Sequence, residues 1–394
     1  MPVTSFALPV EHIAPDAGKT PQNGIALCLS GGGYRAMLFH VGALWRLNEV
    51  GYLSKLARIS SVSGGSITAG VLGMNWPMLS FDVHGVAQKL QDALVAPVRR
   101  IAGITIDQWS ILSGALGPGS ISDKVAGAYR KYLFGTKTLQ DLPPDPPRFV
   151  INATNVQSGA LWRFSRPYMA DWRVGMIKNP STDLATAVAA SSAFPPFLSP
   201  AHLDLQESDF VASSGHDLQM PPFTTEVVLT DGGVYDNLGL ETAWKEYTTV
   251  LVSDGGGHLQ AEADPPSDWL RHVRRVLDVI DNQVCSLRKR QLIDSYKLPT
   301  GQTNHRDGAY WGVRSDITQY PIATASGYPF NLTSCPVAKT LSLAEFPTRL
   351  KAVDPCIQER LINWGYAICD AALHSHVDGT LSVPSGFPYP STGI

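Results

Sequence analysis

The sequence predicts an α/β fold built on a mostly parallel sheet, and three observations carry that prediction. Apolar runs of strand length alternate with segments of helical periodicity along the first 255 residues. The first strand, Ile25–Leu29, passes through Ser30 and three consecutive glycines directly into a helix. Residues able to do chemistry then recur at strand ends: Ser30 with its glycines, Ser63, Asp231 and Asp254. In open parallel sheets, sites gather at the carboxyl ends of strands.

Taken in order, residues 1–22 form an arm rich in proline and small residues. After the first strand, Tyr34–Val50 places Leu38, Val41, Leu44, Trp45 and Leu47 at helical spacing and is closed by Gly51. Arg58–Val62 is a strand, followed by a helix over Gly65–Met74. Leu79–Leu133 holds helical pieces without a strand signal, an insertion at about residues 80–133. Pro143–Pro147 is a turn and Phe149–Ala153 a strand. Asp183–Ala193 is an alanine-rich helix stopped by Pro195 and Pro196. Val227–Thr230 and Thr248–Ser253 are strands ending at Asp231 and Asp254. Trp269–Ile293 is a long amphipathic helix, residues 300–345 are loop-rich, and Leu350–Leu373 is helical. The expected division is an arm over 1–22, a catalytic domain over 23–260 and a helical, loop-rich C-terminal extension over 261–394 packed on it.

Composition narrows the class. With 44% hydrophobic and 16% charged residues, the chain of 394 residues is globular. A net charge of −3 gives no reason to expect a nucleic-acid partner. The five cysteines, Cys28, Cys285, Cys335, Cys356 and Cys369, show no metal-ligand spacing and read as reduced thiols. The N-terminus has no basic region followed by an uninterrupted apolar core, and no run approaches the length of a spanning helix. The expectation is a cytoplasmic protein, with peripheral membrane contact left open and the oligomeric state undetermined.

The chemistry lies in three motifs. A strand that turns through Gly31-Gly32-Gly33 into a helix aims several backbone N–H groups at one point, which favours an anion, either a phosphate or a transition-state oxyanion. Gly31-x-Gly33-x-x-Ala36 also matches a dinucleotide fingerprint, but that reading needs an acidic residue at the end of the next strand. That strand ends instead in Ser61-Val62-Ser63-Gly64-Gly65, a serine flanked by small residues as a strained strand-to-helix turn requires. Alone, this pentapeptide is compatible with an ordinary loop, and Asp231-Gly232-Gly233 with a simple turn.

Together and in this order, the motifs resemble the patatin-like phospholipase superfamily, whose pattern is a glycine-rich oxyanion loop with a following Arg or Lys, then Gly-x-Ser-x-Gly, then Asp-Gly-Gly/Ala. Residues 187–197 also resemble its Ala/Ser helix ending in prolines, and the resemblance covers about residues 24–255. Ser61 stands where the pattern has its first Gly, and Ser30 and Ala36 where many members have Asp and Gly. The resemblance implies a three-layer α/β/α fold and hydrolysis of acyl esters of phospholipids or other glycerolipids. It implies Ser63 as nucleophile, Asp231 as its base without a histidine, and Gly31, Gly32 and Gly33 as the oxyanion hole. Arg35 either meets a lipid phosphate or fixes the loop by a salt bridge. No metal or organic cofactor is implied. Soluble-ester hydrolysis and lipid binding without turnover remain the alternatives.

Four further readings stay open. Asp254 repeats the Asp-Gly-Gly pattern but lacks the following Asn that Asp231 has at Asn237. A triad would draw on His258, or on His40, which reads better as a partner of polar backbone or solvent. The helix over 269–293 aligns Val273, Leu277, Ile280, Val284 and Leu287, with Arg271, Arg274, Arg275, Arg288, Lys289 and Arg290 near its ends. The expected use of such a stripe is packing on the protein's own sheet, the alternative an interfacial lipid-docking surface.

Overall fold

The computed structural model describes residues 20–106, 120–195 and 198–394. Most of the N-terminal arm, residues 107–119 of the helical insertion, and Pro196 with Phe197 lie outside the described residues.

The core is a five-stranded parallel layer. Its strands are β1 (Gln22–Leu29), β2 (Leu56–Val62), β3 (Arg148–Asn155), β9 (Tyr247–Asp254) and β10 (Asp307–Gly312), in the order β10-β9-β1-β2-β3. Beyond β3 the sheet turns antiparallel through β4 (Ala160–Phe164), β5 (Tyr168–Asp171) and β6 (Gly175–Lys178). A second antiparallel branch, β7 (Ala201–Asp204) and β8 (Glu226–Asp231), joins β3 at its carboxyl end. The mostly parallel central sheet is as expected. The strands β4–β7 and β10 are additions, drawn from short, mixed or loop-like sequence that carries little period-two signal.

The unbroken apolar run of β1 follows from burial on both faces. Leu27 and Leu29 enter the main core, shared with helices α1 (Gly33–Glu49), α2 (Gly64–Met74) and α10 (Pro355–His376). Ala26 and Cys28 point to a smaller core closed by Leu238, Leu240, Ala243 and Leu292. Those residues come from α7 (Glu241–Trp244), the turn before it and α8 (Trp269–Lys297). Between α2 and α7 lie α3 (Ala96–Ala102), α4 (Ile121–Tyr129), α5 (Leu184–Ser191) and α6 (Gly233–Asp236); α9 (Val337–Ala344) precedes α10.

The stretch after residue 260 is woven into this core. It supplies the edge strand β10, and α10 lies against α1 so closely that a Cβ on Gly365 would overlap the Phe39 carbonyl oxygen. A Cβ on Gly42 would in turn overlap the Ile362 carbonyl oxygen. Arg46 of α1 donates from Nε to Asp370 Oδ1 of α10 at 2.6 Å, both side chains fully shielded, and Tyr328 donates its hydroxyl to the other carboxylate oxygen at 2.5 Å. One correction concerns α8. The apolar stripe expected to pack on the sheet mostly faces outward instead: Val273, Leu277, Ile280 and Leu287 are exposed, Val284 is half-buried, and Val276 is exposed alongside them. Only the last turns of α8, at Leu292 and Tyr296, are held by the sheet.

The α1–α10 crossing generates a stability test. Gly365→Ala should lower the urea midpoint by an amount equivalent to about 1–3 kcal/mol, because neither backbone can retreat from a well-packed core. Gly127→Ala, in α4 with nothing within 4 Å of the added carbon, should be neutral or slightly stabilising. Equal midpoints for the two variants would show that the helices separate freely.

Candidate active site

Ser63 occupies the single residue between β2 and α2, with φ 50° and ψ −118°, a region that side chains other than glycine rarely adopt. Close packing on both sides of the turn holds this strain. A Cβ on Gly64 would overlap the Gly33 carbonyl, so α2 begins pressed against the backbone of the glycine loop. The Ser63 N–H donates to Ser191 Oγ at 3.0 Å, and Ser191 Oγ donates to the Asn152 carbonyl at 2.6 Å. Ser61 is buried; its Oγ accepts from Ser66 Oγ at 3.0 Å and donates to the Val150 carbonyl at 3.3 Å. A serine at that position is therefore part of the scaffold of the turn. Ser191, at the end of the Ala/Ser helix, is a supporting residue that sequence reasoning did not single out; the small-residue run 187–193 was its only signal.

Asp231 reaches Ser63 by an arrangement that the sequence did not reveal. β2 runs parallel to β3 and stops at Val62, opposite Asn152. β8 runs antiparallel to β3 and stops at Asp231, opposite Ala153, the next residue along. The two strands meet end to end on β3, and their terminal residues face each other. Asp231 is 3% exposed; its carboxylate accepts the Gly233 N–H at 2.7 Å and interacts with the Ser63 side chain. Burial pushes its pKa up to about 7, against the lowering effect of those two contacts, and the nearby Asp281 carboxylate raises it further.

The glycine loop lies on the other side of the serine, where a Cβ on Gly31 would sit 3.2 Å from the Ser63 Cβ. The three glycines do not play equal parts. The Gly31 N–H donates to the Asn237 carbonyl at 3.0 Å, which removes it as a free donor, whereas the Gly32 and Gly33 N–H groups have no acceptor among the described residues. Gly33 has φ 59°, and a Cβ there would lie 2.8 Å from the Arg349 carbonyl oxygen.

Arg35 is buried and holds the loop. Its Nε donates to the Gly255 carbonyl at 3.1 Å and its Nη1 to the Ala344 and Phe346 carbonyls at 3.2 and 2.6 Å. Loop support is thus what its contacts provide, with carbonyls in place of the expected salt bridge and no outward reach towards a lipid phosphate. Burial lowers its pKa to about 10, so it stays charged near neutrality. Beneath the loop, the Ser30 carbonyl fixes the proton of His40 on Nε2 at 2.9 Å, and Nδ1 accepts from Ser253 Oγ at 2.8 Å. Burial drops the His40 pKa to about 4 and keeps it neutral.

The other candidates are placed elsewhere. Asp254 accepts the Tyr310 hydroxyl at 2.6 Å and the Gly256 N–H at 2.9 Å, tying β9 to β10. His258 is exposed on the following loop. Among the described residues no histidine takes part in the hydrogen bonds of Ser63 or Asp231. The strand end where a cofactor-binding acid would stand holds Ser63. Among the described residues no group of three His, Cys, Asp or Glu side chains is disposed to hold a metal ion, and no helix is long and apolar enough to cross a membrane. Chemically, the arrangement offers a serine hydroxyl, a carboxylate able to hold a proton near neutrality, and two backbone N–H groups without an acceptor among the described residues.

A family model described as patatin-like phospholipase matches residues 27–244. Among solved structures, human GIVD cytosolic phospholipase A2 aligns with 89% of this chain at 11% identity and a TM-score of 0.50, and the match spans 58% of that protein. The crystal structure of VipD from Legionella pneumophila aligns with 91% of this chain and 68% of its own at 14% identity and a TM-score of 0.38. No curated protein matches the chain. At such identities the likeness to the human protein establishes a shared patatin-like fold.

The loop contacts give a prediction. Arg35→Met leaves the Gly255, Ala344 and Phe346 carbonyls without their donor. It should lower stability by about 3 kcal/mol or more and reduce turnover of a short soluble ester, since three charge-assisted bonds at about 1.5–3 kcal/mol each are lost. Calorimetry and a chromogenic ester assay measure the two effects. A variant with normal melting and impaired cleavage of phospholipids alone would make Arg35 a headgroup ligand instead.

Proposed function

Because the chain belongs to the patatin-like phospholipase family, we propose that it is a serine lipid acyl hydrolase acting on phospholipids or other acyl glycerolipids through Ser63 and Asp231. The observation that carries the reading is the placement of the Ser63 side chain beside a carboxylate buried enough to bind a proton near pH 7. An ordinary carboxylate, with a pKa near ~3.9, is a poor base for a hydroxyl; desolvation makes this one better matched.

In the proposed cycle Ser63 Oγ attacks the ester carbonyl as its proton passes to Asp231. The Gly32 and Gly33 N–H groups stabilise the oxyanion, a term worth about 2.7–4 kcal/mol per donor in a well-studied protease. Collapse breaks the ester C–O bond, and Asp231 returns the proton to the departing alkoxide oxygen. Water then attacks the acyl-enzyme with Asp231 again as base, releasing the fatty acid and restoring Ser63. Gly31 and Arg35 shape the loop, and His40 holds it from below.

Two experiments test this. Ser63→Ala and Asp231→Asn should each reduce hydrolysis on the order of a thousandfold or more, with an organophosphonate labelling Ser63 in the parent chain. Asp254→Asn and His258→Gln should retain most activity; a reversed ranking of the two aspartates would move the base to Asp254. Incubation with mixed lipids and mass spectrometry of released fatty acids and lysolipids identifies the substrate, and cleavage of soluble esters alone would reduce the reading to a carboxylesterase.

The pH dependence has a definite sign. Asp231 must be ionised to take the proton, so kcat/KM for a short ester should rise with pH through about 7 and then level. Stability runs the other way. The folded pKa lies above the unfolded one, so the native state binds the extra proton between about pH 4 and 7 and loses that advantage as pH rises through the window. Asp231→Asn, which carries no charge, should therefore raise the melting temperature relative to the parent chain at pH 8 and much less at pH 4. A parent chain whose relative stability is independent of pH would contradict the buried, protonatable carboxylate.

A further inference from the structure

Helix α8 is amphipathic with its faces reversed. Trp269, Val273, Val276, Ile280 and Leu287 fall within about 60° of arc and extend for roughly 27 Å along its axis. All five are exposed, Trp269 by 80% and Ile280 by 54%. The opposite side faces the protein. Leu292 is fully buried, Tyr296 donates its hydroxyl to the Val250 carbonyl at 2.7 Å, and Arg288 pairs with Glu241 at 2.9 Å. Cys285 on that side interacts with the Asn237 side chain, and Asn237 in turn receives the Gly31 N–H. The helix therefore lies against the Asn237 segment that braces the glycine loop, with an apolar stripe turned to solvent. A monomeric protein rarely leaves such a stripe uncovered.

Charge selects what covers it. The helix carries seven Arg and Lys against three Asp, in a chain whose formal charge is −3. Arg271, Arg275 and Arg288 pair with Asp268, Glu262 and Glu241, while Arg290 and Lys297 are exposed on one flank of the stripe at its C-terminal end. Two copies of the chain meeting on this face would bring two cationic helices together, whereas an anionic surface is attracted to it. A stripe of aliphatic residues with a tryptophan at one end and basic residues beside the other is the pattern of a helix lying in the interface plane of a bilayer.

We propose that the outward face of α8 docks the protein onto anionic lipid surfaces, placing the mouth of the Ser63 site against the aggregate. This rests on the reading of the chain as a lipid acyl hydrolase and adds the surface through which it meets its substrate.

The test uses the full chain carrying Ser63→Ala, so that vesicles stay intact, and sedimentation with sucrose-loaded vesicles of phosphatidylcholine, with and without phosphatidylglycerol. The expected result is binding that favours the anionic vesicles and weakens with salt. The stripe variant Trp269→Ser, Val276→Ser, Ile280→Ser should bind at least roughly tenfold more weakly. Arg290→Glu with Lys297→Glu should abolish the preference for anionic vesicles. In chains that keep Ser63, both sets of changes should leave short-ester hydrolysis and melting temperature unaltered while slowing cleavage of vesicle lipid. The proposal is overturned if the parent binds neither vesicle, if the stripe variant binds as well as the parent, or if that variant loses stability and both activities together. It is also overturned if the stripe variant turns a dimer into a monomer with vesicle binding unchanged, which would make a second copy the occupant. A chain that binds vesicles through α8 but cleaves no ester would retain the docking surface and overturn the hydrolase reading alone.

Discussion

The candidate site depends on a carboxylate kept out of water. Asp231 is 3% exposed; its carboxylate accepts the Gly233 N–H and interacts with the Ser63 side chain. A buried charge with so few partners is costly, and the protein meets that cost by letting the group hold its proton up to about pH 7. The same instability makes the group a usable base. Had the site surrounded Asp231 with more donors, the carboxylate would be stable and chemically inert. The rest of the site supplies rigidity around this choice: Ser63 is held in a strained turn by Ser191 and by the backbone of the glycine loop.

Rigidity comes from far along the chain. The glycine loop lies at residues 31–33, but what fixes it are the carbonyls of Gly255, Ala344 and Phe346 on Arg35, the Asn237 carbonyl on the Gly31 N–H, and the Arg349 carbonyl on the Tyr34 N–H. The C-terminal third is thereby part of the glycine loop's support as well as of the sheet edge. His40 adds a neutral, tautomer-fixed link between the Ser30 carbonyl and β9. These contacts fix a loop of three glycines that would not hold one conformation by itself, and leave the Gly32 and Gly33 N–H groups without an acceptor among the described residues.

The reversed face of α8 shows where burial and function diverge. A helix whose apolar side faces water is destabilising unless something covers it, and here its last turns alone anchor it to the second core. Periodicity reveals that a helix has an apolar stripe; it does not say which way the stripe turns. That direction is decided by which side carries the residues with better partners, and in α8 these are Leu292, Tyr296 and Arg288.

The sequence by itself determined the local elements and the motif positions. A strand running into three glycines, a serine between small residues at the next strand end and an aspartate before two glycines are local patterns, set by backbone sterics within a few residues. The parallel centre of the sheet followed from the alternation of strands and helices. Tertiary structure alone decided that β8 runs antiparallel and meets β2 end to end, because strand direction is set by pairing with β3. It alone separated Gly31 from Gly32 and Gly33, through an acceptor more than two hundred residues away. It alone assigned Arg35 to three carbonyls and Asp254 to Tyr310, and it raised the pKa of Asp231. Each of these depends on long-range burial and hydrogen bonding, which no window of neighbouring residues contains.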